Sequence, residues 1–223
     1  MSRTTTLAST PHRSRRVDRT AAVFLLLGGL AFFVGGALHP KDSSSGGTKL
    51  EQLHDMLVDP LWYPSHVVFL AAIALITAAL LVIRRRGDLP DRMARLMTVV
   101  AAISVLATVA MLIHLFAATE ADAIEHGHST ALIAFHTWNE TIVNPLWGLA
   151  IATLAVAGGT TRTLGNRITL VLGLVGGLTF ALATATIAFT DLFDLLFPVS
   201  SLIGVWAAAV GTIELLRRHH TRR

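Results

Sequence analysis

Ten histidines and no cysteine set the side-chain chemistry open to this 223-residue chain. Without thiols there is no Cys-ligated zinc, iron–sulfur cluster or thiol nucleophile. Imidazole is what remains for binding a transition metal or haem iron, and it does so through a neutral ring nitrogen. His39, His66, His114 and His136 are the informative four, because each falls at or near one end of a long apolar stretch. His54, His126 and His128 fall in the polar segments between those stretches, while His12, His219 and His220 sit in basic terminal stretches and read as solvated.

Carboxylates accompany these histidines. Glu120, Glu140, Asp191 and Asp194 all fall at or just beyond the same ends of apolar stretches. A carboxylate beside an imidazole can serve as a general acid/base pair or a proton-coupled binding site. Asp191 and Asp194 are three residues apart and share a face if that segment is helical. The competing reading is plainer: a short turn has to be polar somewhere, and an interfacial imidazole can simply bond head groups or loops. His126-x-His128 could hold a surface metal weakly, and an exposed polar loop accounts for it equally well.

The elements that must position these groups follow from composition. Hydrophobic residues make up 53% and charged residues 14%, against about 25% charged in soluble domains. Six stretches free of Asp, Glu, Lys and Arg appear, over residues 21–38, 61–83, 96–119, 141–161, 168–190 and 195–213. Each approaches or exceeds the roughly 20 residues that a helix needs to cross a bilayer, and none alternates as a barrel strand does. The expected fold is therefore all-α, a polytopic six-transmembrane-helix bundle spanning residues 20–216. It is flanked by a disordered basic tail at 1–19 and a second basic tail at 217–223.

Charge confirms the alternation. All 16 arginines lie in four segments on one side of a six-span chain, with four acids; the other side receives both lysines and ten acids. The formal net charge of +4 is thus the remainder of +12 on one side and −8 on the other. The positive-inside rule places both termini in the cytoplasm of a multi-pass cell-membrane protein. The basic charge becomes a topology signal, and nucleic-acid binding drops out. A cleaved signal peptide ending near Gly35-Gly36-Ala37 is the competing reading of the first stretch, but its apolar run of 18 residues exceeds the usual length.

Several further signals concern packing. Gly173 and Gly177 form a GxxxG pattern, Ala207 and Gly211 repeat its spacing, and Gly28, Gly29, Gly35 and Gly36 add two small patches. These are expected to pack the bundle internally. Pro145 and Pro198 are expected to kink the fourth and sixth spans near their outer ends. Trp62, Tyr63, Trp138 and Trp147 read as interfacial anchors. Between the first two spans, Ser43-Ser44-Ser45-Gly46-Gly47 has linker composition. Leu50, Leu53, Met56 and Leu57 after it predict a short amphipathic helix ending at Asp59-Pro60, able to lie over the bundle end.

For function, the expectation is an integral membrane protein of unassigned activity, and the leading specific reading is haem or transition-metal binding near its outer face. His66 and His114 are the first pair, and His136 and His39 are additional or alternative ligands. Imidazoles on facing helices resemble the bis-imidazole haem ligation of membrane-bound di-haem b-type cytochromes. The likeness covers only that feature, and the chain has no inner-side histidine pair to carry electrons across through a second haem. An enzyme acting on a lipid or isoprenoid-like small molecule through Glu140, Asp191 or Asp194 beside His136 is the alternative. A transporter is weaker, since mid-span positions offer only Ser and Thr, such as Ser104, Thr179 and Thr184.

Overall fold

The computed structural model describes residues 19–40 and 47–219; the N-terminal tail to residue 18, the Ser/Gly linker at 41–46 and residues 220–223 lie outside the described residues. Everything regular within it is helical, and six of its helices are long and apolar enough to cross a membrane. The first is α1 (Arg19–Leu38), followed by the short α2 (Lys49–Val58), then α3 (Trp62–Arg85) and α4 (Asp91–His114). A 3-10 segment (Leu115–Glu120) extends α4 into α5 (Ala121–Glu125). The fourth span is α6 (Ala131–Trp138), one π turn (Asn139–Val143) and α7 (Asn144–Thr161) in a continuous rod. Next come α8 (Arg167–Thr186), a 3-10 turn (Asp194–Leu196), α9 (Phe197–Ser200) and α10 (Leu202–His219).

Packing follows the chain. Each spanning helix lies against the one before and after it, and α1 closes the circuit against α10. The interior of this ring is apolar: Phe32, Trp147 and Phe180 lie within 6.0 Å of one another, and Phe69 meets Phe32 edge-on at 5.2 Å. Trp147 donates to Ser104 Oγ (3.2 Å), and Thr77 donates to the Ser104 carbonyl (3.1 Å). These groups are thus satisfied within the bundle, as a bilayer requires, whereas the buried Trp206 Nε1 has no hydrogen-bond partner among the described residues. Leu27, Leu30, Phe33 and Val34 of α1 and Val99, Val105, Leu106 and Val109 of α4 face outward.

Pro145 and Pro198 both stand at interruptions. The π turn immediately precedes Pro145, where the missing N–H and the ring disrupt a regular helix. Pro198 opens α9, which breaks at Ser201 before α10. The fourth span differs from its sequence-based bounds: the rod begins at Ala131, where Thr130 caps it by accepting from the Ile133 N–H (3.2 Å). Its polar residues turn inward to the bundle, so a fall in hydropathy there does not end the helix.

Small residues bring the helices together. A Cβ added to Gly204 would lie 2.6 Å from the Gly29 carbonyl oxygen, and one added to Gly177 would lie 2.5 Å from that of Gly148. The expected internal use of Gly28, Gly29, Gly35, Gly173, Gly177 and Gly211 holds, whereas a Cβ at Gly36 would meet only the Phe69 ring at 3.8 Å. Gly204→Val should therefore lower stability by about 1–3 kcal/mol through overpacking, while Gly36→Ala should leave the thermal midpoint in detergent nearly unchanged.

Candidate metal centre

The end of the bundle opposite Arg19 and His219, its outer end by the charge reading, holds the histidines. His66 lies in the first turns of α3, His114 closes α4 and His136 lies in α6. His39 follows α1 directly. Their rings form a continuous cluster: His39 to His66 is 5.0 Å between centroids, His66 to His114 is 5.0 Å, and His114 to His136 is 4.3 Å. The last two pairs are stacked, within 28° of parallel. His66, His114 and His136 are buried, and His39 is at the half-buried rim. Two imidazolium charges at about 4 Å would repel by about 4 kcal/mol at an effective dielectric of 20. The stack therefore suits neutral rings, the form that ligates metals.

Trp62 completes the stack at 3.8 Å from His66. It is buried rather than an interfacial anchor, because Trp62 and His66 are one helical turn apart on the inward face of α3. Its indole donates to the Leu115 carbonyl (3.1 Å). Trp147 is also buried, in the core, while Tyr63 and Trp138 are exposed. Phe69 lies below the cluster, 6.0 Å from His39 and 6.4 Å from His66.

Glu140 joins the histidines through helical register. It is four residues after His136, so the two side chains share a face, and the π turn starts between them at Asn139. One ligand atom from each of His114, His136 and Glu140 lies within 4.8 Å of the others. His114 Nδ1 and Glu140 Oε1 are 3.6 Å apart. Two ligands about 2.0–2.1 Å from one tetrahedral ion stand about 3.3 Å apart, so this pair already has nearly the required spacing. The remaining separations, up to 4.8 Å, must close by at most about 1.5 Å.

The neighbours of Glu140 support the same arrangement. Asn144 donates to its Oε1 (3.1 Å), and no Lys or Arg among the described residues pairs with it. Buried carboxylates ordinarily have a cationic partner or a proton. Asn139, which is buried where Glu140 is only half-buried, contacts His114 Nδ1 through its amide nitrogen (3.3 Å), leaving its Oδ1 without a partner. Nδ1 of His114 thus lies between the Asn139 amide, at 3.3 Å, and the Glu140 carboxylate, at 3.6 Å.

A helical lid covers the site. In α2, Thr48 and Glu51 form a reciprocal N-terminal cap, with the Thr48 N–H donating to Glu51 Oε2 (2.6 Å). Those bonds hold the Glu51 carboxyl below its usual range. Leu53, Met56 and Leu57 pack on Trp62, Ala117, Ile124 and Ile133, and Leu50 stays exposed. Lys49 pairs with Asp191, tying the start of α2 to the turn after α8.

The expected site residues thus separate. His39, His66, His114, His136 and Glu140 come together. Asp191 is exposed and bound to Lys49, outside the cluster, and Asp194 lies half-buried in the 3-10 turn that leads into α9. Burial holds the His39 imidazole below its usual value, against the opposing hydrogen bond to the Pro40 carbonyl. Trp62, Asn139 and Asn144 were not expected here; their signal was the four-residue spacings of Trp62 to His66 and Glu140 to Asn144. Comparison with protein-family models, curated proteins and solved structures returns no match.

The Lys49 hydrogen bond and charge depress the Asp191 pKa. A carboxylate with a lowered folded pKa contributes stability above its unfolded value, about pH 4, and loses it as pH falls through the lowered one. Amide exchange in α2 should accelerate over that acid range, and in Asp191→Asn it should already be fast at neutral pH and should lose this acid dependence.

Proposed function

We propose that this chain is an integral membrane protein that binds a divalent transition metal ion at the outer end of its helix bundle, with His114, His136 and Glu140 as the protein ligands. The observation that carries the reading is the approach of these three ligand atoms to within 4.8 Å, from two buried histidines and a half-buried glutamate. Two imidazoles and a carboxylate suit zinc or ferrous iron. Stacking of His66 directly on His114 favours a bare ion over haem, since axial imidazoles hold a flat macrocycle between them.

A metal-dependent enzyme is the more specific reading within this proposal. Three protein ligands leave a coordination position open, the pattern of catalytic rather than structural zinc centres. The substrate would be a small or lipid-borne molecule reaching the outer end and taking the open position. Phe32, Phe69, Trp147 and Phe180 fill the bundle below the cluster, which supports a one-sided site over a transport path. The distribution of arginines supports a cell-membrane protein with both termini in the cytoplasm.

The test is zinc affinity of the full chain in detergent, by competition with a chromophoric chelator. Wild type should hold zinc stoichiometrically and show no Soret band. His114→Ala or His136→Ala should lose more than about 100-fold in affinity, since changes to groups behind the ligands alone cost about 10–100-fold. Wild type with no stoichiometric metal, or variants as tight as wild type, would overturn the proposal.

A further inference from the structure

We propose that His39 and His66 form a second metal position beside the first, making the cluster a two-ion centre; this rests on the reading of His114, His136 and Glu140 as a metal set. His66 Nδ1 lies 2.7 Å from the Trp62 carbonyl, and His39 Nδ1 lies 2.9 Å from the Pro40 carbonyl. A carbonyl oxygen can only accept, so each Nδ1 carries the proton. In the neutral ring the lone pair is then on Nε2, and neither Nε2 has a hydrogen-bond partner among the described residues. A donating Nδ1 anchored on a backbone carbonyl is the arrangement that fixes the tautomer and orientation of metal-ligating histidines. Two adjacent histidines on separate elements share it.

Their mutual geometry points the same way. The rings are 5.0 Å apart and tilted by 48°, unlike the near-parallel stack formed by His66, His114 and His136. His66 stands between the two positions, 5.0 Å from His39 on one side and 5.0 Å from His114 on the other. An ion on His39 and His66 is therefore a near neighbour of one on His114, His136 and Glu140, as in centres where paired ions about 3.5–4 Å apart clamp one reacting group. Water completes the coordination at this half-buried edge. The ligand class is again a divalent ion that accepts imidazole and carboxylate, with zinc or cobalt as the probe.

The experiment is metal stoichiometry of the full-length chain in detergent, loaded with zinc, freed of excess by gel filtration and measured by elemental analysis. Wild type should carry two zinc ions per chain. His39→Ala/His66→Ala should carry one, and His39→Ala alone, at the rim where folding is least at risk, should weaken the second ion at least tenfold while the first stays bound. Wild type with a single ion, or a double variant that keeps two or loses both while its thermal midpoint is unchanged, would overturn the two-ion proposal. A single ion lost in His114→Ala but retained in His39→Ala/His66→Ala would leave the first centre standing. No bound zinc in wild type would overturn both. With manganese(II) in place of zinc, wild type should give the resonance of an exchange-coupled pair and His39→Ala an isolated-ion spectrum; an isolated-ion spectrum from wild type loaded with two ions would also overturn it.

Discussion

Satisfying polar groups at membrane depth governs how this molecule is built. In a bundle facing lipid, an imidazole or carboxylate without a partner costs several kcal/mol, so such groups collect where the protein can answer them. Here Glu140 is answered by Asn144, His66 by the Trp62 carbonyl, and Trp62 by the Leu115 carbonyl. Every one of these contacts lies at the outer end. The rest of the interior is mostly aromatic and aliphatic, with a small Ser104 network and, at the opposite end, a buried Glu214 that accepts from Arg217.

The irregular backbone concentrates at the same place. The 3-10 segment after His114 and the π turn at Asn139–Val143 both flank the cluster, whereas α1 and α8 run as uninterrupted helices. A π turn widens a helix by one residue and is often found at functional sites. It allows His136, Asn139, Glu140 and Asn144 to contribute to one polar region while Pro145 remains in the rod. The amphipathic α2 then covers the region with apolar side chains that would otherwise meet water.

Much of this architecture was legible in the chain. Long apolar runs and segregated arginines define six helices, and the leucine spacing around Leu53 and Leu57 defines α2. Glycine patterns were readable as internal contacts because close backbone approach needs small residues wherever helices cross. The fourth span was less legible: Thr137, Asn139 and Glu140 lower its hydropathy, and their inward orientation is a tertiary property. The sequence puts Glu140, Asp191 and Asp194 on an equal footing as carboxylates for His136, because helical register alone does not show which of them turns inward. Asp191 instead meets Lys49, a partner 142 residues away that local pattern does not reveal. Trp62 and Trp147 have the composition of interfacial anchors, and only the direction of each helix face makes them core residues.

Zinc-edge X-ray absorption of the loaded full-length chain tests the central claim most directly. The expected spectrum has a first shell of nitrogen and oxygen at about 2.0–2.1 Å, with multiple scattering from at least two imidazoles that diminishes in His136→Ala. A shell of oxygen alone without imidazole scattering, unchanged in that variant, would contradict a histidine-ligated metal centre.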